Sequence, residues 1–107
     1  MPTTAVRLLA IMVKATLFYD ARRDYPDGTI VQIRIWQLPE SDEERPHGFK
    51  YSLFFGRKGE RLVGYDNERG KGDHKHIKNL EYPYTFTTID QLFADFRRDI
   101  AIVRKHL

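Results

Sequence analysis

Cysteine is absent from the 107 residues. That removes disulfides, thiolate-ligated zinc and cysteine nucleophiles together, and it fits a chain of the cytoplasm. No apolar run approaches the roughly 20 residues that a membrane-spanning helix needs, so no membrane association is expected. The opening MPTTAVRLLAIMVKA carries a short apolar patch, but no charged leader and no small-residue cleavage site, so it does not read as a signal peptide. A strong excess of one charge is missing too. Eighteen Lys and Arg face 15 Asp and Glu, a net charge of +3, and the isoelectric point is about 9.3. This mild basicity is compatible with a nucleic-acid partner without requiring one. There is no internal repeat, and the length suits one domain able to bury a core of its own.

Aromatic residues are plentiful at 13 %, which favours a β-rich core. The run MVKATLFYD from Met12 alternates apolar and polar residues and reads as a strand. A second methionine at the foot of that strand marks Met12 as a candidate native start, with residues 1–11 as an extension before a single domain over residues 12–107. YPDGT at residues 25–29 is a turn, because Pro presets φ and Gly accepts a positive one. TIVQIRIWQL then places Val31, Ile33 and Ile35 on one face and closes a hairpin. The polar PESDEERPHG of residues 39–48 is a loop. A second hairpin follows, from FKYSLFFG with Phe49, Tyr51, Leu53 and Phe55 on one face, through RKG, to ERLVGYD. YPYTF at residues 82–86 reads as an edge strand, where Pro83 is tolerated.

The end of the chain changes period. Leu92, Phe96, Ile100, Val103 and Leu107 make one apolar stripe of a helix, with Thr88 as cap and Gln91 completing a capping box. The fold expected is α+β: an antiparallel β-sheet meander with a C-terminal α-helix packed on one face.

Between these elements lies GYDNERGKGDHKH, residues 64–76, polar and rich in glycine. A loop this long in a small domain is often functional. Gly64, Gly70 and Gly72 permit unusual φ and close backbone approach, and exposed N–H groups there could cradle a phosphate, although the spacing fits no nucleotide fingerprint. In an extended DHKH, His74 and His76 fall on one face. With Asp66 or Asp73 to orient an imidazole, two histidines can supply the base and acid of RNA cleavage near pH 7. Lys71, Arg69 and Lys75 are candidate phosphate ligands. Tyr65, Tyr82 and Tyr84 flank the loop as candidates for base stacking beside those cations, and Asn67 is counted with the nucleic-acid contacts. The plain alternative for each is a surface His, an Asx turn at Asp66–Asn67, or a tyrosine packed on the sheet. His47 and His106 are given no role.

The block LVGYDNERGKGDHKH at residues 62–76, PYTF at residues 83–86 and QLFADF at residues 91–96 resemble the TumE-type toxins of bacterial and archaeal toxin–antitoxin systems. With the strand from Met12, the resemblance covers about nine-tenths of the chain. It implies growth inhibition and a cognate antitoxin of the helix-turn-helix kind. It implies no catalytic residue; only Gly64, Tyr65, Asp66, Asn67, Gly70, Lys71, Gly72, His74 and His76 are matched, as motif positions. Three readings of the site stand open. The first is a metal-independent, cofactor-free ribonuclease. The second is a binding module without chemistry, directed at nucleic acid or protein. The third is a metal-dependent phosphodiesterase built on Asp66, Asp73, His74 and His76.

Overall fold

A computed structural model describes residues 15–68 and 70–107. The strand residues expected at Met12–Lys14, the proposed extension over residues 1–11 and the candidate Arg69 lie outside the described residues. Six strands follow one another in chain order: β1 (Thr16–Asp24), β2 (Ile30–Gln37), β3 (Phe49–Arg57), β4 (Glu60–Asp66), β5 (His74–Ile77) and β6 (Leu80–Pro83). They pair in that same order, each antiparallel to the last, as one meander sheet. One helix, α1 (Ile89–Arg104), ends the fold and packs across β4. The α+β architecture matches what the periodicities imply.

The turns form for local reasons. Between β1 and β2, Asp27 Oδ1 accepts from the Thr29 backbone N–H at 2.9 Å and from its hydroxyl at 2.6 Å. Gly28 takes φ 85° there, the conformation a side chain would resist. Those two Thr29 bonds, ahead of the nearby Arg104 guanidinium, bring the Asp27 carboxyl down to about 2. The β3–β4 connection uses Gly59 at φ 78°.

Period-two alternation sorts the sheet into two faces. Ile35, Tyr51, Leu53, Phe55, Val63 and Tyr65 lie on the face covered by α1 and join Leu62, Leu92, Phe96 and Val103 in the buried core. Among the described residues, no helix lies on the other face. Cross-strand register lines up Asp20, Arg34, Ser52, Asp66, His74 and Pro83 in one row on it, and Arg22, Gln32, Phe54, Gly64, His76 and Glu81 in the next.

Three local expectations change. The last strand is Leu80–Pro83, not residues 82–86, because β5 and β6 already pair through the Lys78–Asn79 turn, with Lys78 at φ 55°. Tyr84 and Phe86 leave the sheet edge and pack on the core. Thr88 does cap α1, accepting from Gln91 N at 3.0 Å, but the Gln91 amide turns to Asp95 Oδ1 at 2.8 Å and does not complete a capping box. Leu107 lies beyond the helix and is 52 % exposed, so the apolar stripe ends at Val103.

Acidic side chains fasten the helix to the sheet. Asp99 is 7 % exposed; its Oδ2 accepts from the Tyr65 hydroxyl and from Lys75 Nζ at 3.1 Å. One turn earlier, Asp95 accepts from Tyr84 at 2.6 Å and from Arg98 at 3.0 Å. Burial by itself would raise the Asp95 carboxyl, but the donors from Tyr84, Gln91 and Arg98 outweigh it and hold it below its ordinary value. Removing one partner of a buried, hydrogen-bonded charge strands the others. Asp99→Ala is therefore expected to lower stability by about 3 kcal/mol, read as a fall in the urea midpoint. Arg22→Ala, which removes only the exposed pair with Asp24, should change it by less than about 0.5 kcal/mol.

Candidate functional site

The stretch expected to be one long loop is nearly half strand. Gly64–Asp66 complete β4 and His74–His76 open β5, so only residues 67–73 connect them. Pairing of the two strands sets Asp66 opposite His74 and Gly64 opposite His76. The imidazoles stand beside one another with ring centroids 5.0 Å apart, edge to face. As the i, i+2 spacing implies, both lie on the same side of the sheet.

Asp66, His74 and His76 each bring a potential ligand atom within 4.8 Å of the others. Glu81 from β6 joins them, its Oε1 3.4 Å from His74 Nε2 and 3.7 Å from His76 Nε2. His74 is only 6 % exposed. Its Nδ1 lies 3.0 Å from the Gly72 carbonyl, which can only accept, so Nδ1 carries a proton. Its Nε2 lies against Asp66 Oδ1. Both ring nitrogens thus face oxygen acceptors. A doubly protonated ring satisfies that arrangement, and so does a cation held between Nε2 and the carboxylates. Asp66 Oδ1 is buried and, although it touches the imidazole, receives no well-directed hydrogen bond.

His76 differs. Burial, then the positive charge of Arg61, push its pKa below the ordinary 6.5. The pair therefore sets a ring with oxygen acceptors at both nitrogens beside one whose pKa is lowered. Beside them Lys71, His74, Glu81 and Tyr82 line an open groove of about 390 Å³. Lys71 and Tyr82 are exposed, so a cation and an aromatic face are available there.

Other candidates are drawn elsewhere. Asp73 does not reach the pair. Its Oδ2 accepts from the Tyr51 hydroxyl at 3.0 Å and meets His47 Nε2 at 3.0 Å. The backbone N–H of Phe49 donates to His47 Nδ1 at 3.1 Å, so the proton of that ring is on Nε2 and points at Asp73. His47 also lies against Phe86, with ring centroids 4.1 Å apart. It ties the β2–β3 loop to the segment before β5, a role with no local signal, since its partner is 26 residues away. The Gly70 N–H, expected to be open to a phosphate, donates to Glu44 Oε2 at 2.9 Å.

Lys75 alternates to the opposite face, where it pairs with Asp99, so it is a helix anchor and not a phosphate ligand of this site. Tyr65 is fully buried under α1 and offers no face to a base. Burial, then the bond to Asp99, push its hydroxyl far above the ordinary 10. Asn67, 1 % exposed, accepts from Tyr51 N at 3.0 Å and donates to Phe49 O at 2.8 Å; its amide extends the β3–β4 ladder by one residue and is buried away from the open groove. Gly70 and Gly72 do take positive φ, 89° and 68°. Missed by sequence were Glu81 and Arg61, which only strand pairing brings to the histidines.

A small antiparallel α+β domain with a histidine–carboxylate cluster on its open face is thus defined. The family described as Toxin TumE matches residues 8–104, and the chain belongs to that family. It is accordingly a toxin of the toxin–antitoxin kind, for which an antitoxin partner is general. No curated protein and no solved structure matches it. Among the described residues, no helix is long and apolar enough to cross a membrane.

Because the folded pKa of His76 is depressed, the unfolded chain binds the extra proton first as pH falls below about 6.5. The stability held by the neutral ring is complete above that pH and declines from there down to the folded pKa. An NMR titration should show His76 changing protonation below pH 6.5, and Arg61→Gln should move its midpoint upward by removing a positive charge that lowers it.

Proposed function

We propose that this toxin inhibits growth by cleaving RNA at the Asp66–His74–His76 cluster, as a metal-independent ribonuclease. The observation that carries the reading is the pairing of unlike imidazoles at 5.0 Å. His76, held neutral by burial and Arg61, is suited to take the proton from a ribose 2′-hydroxyl. The 2′-oxygen then bonds to the neighbouring phosphorus, the bond from phosphorus to the 5′-oxygen breaks, and a 2′,3′-cyclic phosphate and a 5′-hydroxyl result. His74, with its Nε2 proton held toward Asp66, supplies the proton that the leaving 5′-oxygen needs. Asp66 orients that ring. Lys71 stands in the groove to meet the phosphate backbone, and Tyr82 offers a face to a base.

One observation favours a second reading. The buried Asp66 Oδ1 without a directed hydrogen bond, beside two imidazoles and Glu81, is a donor set suited to a divalent transition metal. In that case the same face would hold a metal-dependent phosphodiesterase. A binding module without chemistry would use the groove and leave RNA length unchanged.

Purified toxin, free of antitoxin, incubated with a mixed pool of labelled RNA separates the three. Cleavage that survives EDTA supports acid–base catalysis, cleavage abolished by EDTA supports the metal, and intact RNA with folded protein supports the binding module. Under the first reading His76→Ala should lower the cleavage rate about 10²- to 10⁴-fold. The double change His74→Ala with His76→Ala should abolish toxicity while the circular dichroism spectrum and antitoxin binding remain; toxicity that persists would remove both histidines from the chemistry.

A further inference from the structure

The face of the sheet opposite α1 carries a second groove, of about 480 Å³, on the far side of His76 from Lys71. It is lined by Phe54, Gly59, Glu60, Arg61, Lys78 and Asn79. Its walls are the β3–β4 and β5–β6 turns, and its floor is continuous with the row Phe54, Gly64, His76, Glu81.

Two glycines shape it. A Cβ on Gly64 would stand 2.6 Å from Arg61 Cδ, so the bare glycine lets the arginine stem lie flat across β4. That path carries the guanidinium toward His76, whose pKa it lowers. A Cβ on Gly56 would run into the Glu60 carbonyl and stand 3.0 Å from Phe54 Cζ, so the phenylalanine ring too is laid along the sheet. Phe54 is half-buried, with part of its surface open to the groove.

Charge in the groove is unbalanced. Arg61 and Lys78 are exposed and, among the described residues, neither has a carboxylate within ion-pair distance. Arg57 and Lys58 of the adjoining turn add to them, against one acid, Glu60. An aromatic surface laid flat between cations that lack counter-ions fits a base stacked on a ring with phosphates at its edges, the chemistry of single-stranded nucleic acid. A protein partner would be expected to bury more apolar surface than one phenylalanine.

We propose that this groove is a nucleotide subsite for single-stranded RNA, with Phe54 stacking one base and Arg61 and Lys78 holding the phosphates that flank it. The proposal rests on the reading of the toxin as RNA-acting. It adds that the strand crosses the open face from the Lys71 groove, over His74 and His76, to Phe54. Arg61 then holds the phosphate nearest the neutral histidine.

A fluorescein-labelled, single-stranded oligonucleotide of mixed sequence, 2′-O-methylated so that no 2′-hydroxyl can react, reports binding by anisotropy in the full-length protein. Phe54→Leu, which keeps apolar bulk and removes the ring, should weaken binding about 10-fold, within the range for loss of one stacked base. Arg61→Gln and Lys78→Gln should each weaken it at low salt and reduce the slope of log affinity against log salt by about 0.7, one phosphate contact on a single strand. Thermal denaturation of each variant checks that the fold is kept. Wild-type affinity and salt slope in all three variants would overturn the subsite, even if the wild-type toxin cleaves RNA. Position-dependent loss of binding in a toxin that cleaves no RNA would leave the subsite standing and remove the ribonuclease reading alone.

Discussion

Strand β5 is four residues long, and its alternation governs both faces of the molecule. His74 and His76 point to the open face, toward Asp66 and Glu81. Lys75, between them, points to the helix and meets Asp99. Pairing with β4 sets both halves at once, because opposite residues of an antiparallel ladder share a face. A slip of one residue would put the lysine against Asp66 and the histidines under the helix, losing the site and the helix anchor together. The hydrogen bonds of Asp99 and Asp95 to Tyr65 and Tyr84 hold that register from above, and the loop clasp of His47 on Asp73 holds it from the side.

The division of labour follows from which face is covered. Under α1 the carboxylates are surrounded by donors, and the tyrosine hydroxyls they bind are pushed far from titration near neutral pH. Chemistry is disfavoured at Asp95 and Asp99, because their hydrogen-bonding capacity is taken up by these donors. On the open face the matching is incomplete. His74 has acceptors on both ring nitrogens, Asp66 Oδ1 lacks a directed donor, and His76 is held neutral with Arg61 alongside. Residual mismatch of this sort is what a reacting group or a bound ion would relieve.

The open face is also long enough to matter for a polymer. The Lys71 groove, the imidazole pair and the Phe54 groove succeed one another across β6, β5, β4 and β3. A chain-like ligand can touch all three in an extended conformation.

How much of this could be read from the chain depended on the range of the interaction. Alternation in IVQIRIW and FKYSLFF, the Pro-Asp-Gly turn and the spacing of Leu92, Phe96 and Val103 are local, and they determined the meander, the helix and the core face. His74 and His76 on one side of a strand followed from their spacing as well. What lay beyond reach was partnership across the sheet. Nothing near Asp73 in sequence names His47 as its partner, and nothing near Tyr65 marks it as buried under a helix 34 residues on. Lys75 and Asn67, polar neighbours of the histidines, were read as ligands because polarity is visible and direction is not. Tertiary structure alone decided which polar groups were consumed by the fold and which were left over, because only packing shows where hydrogen-bonding capacity has already been used.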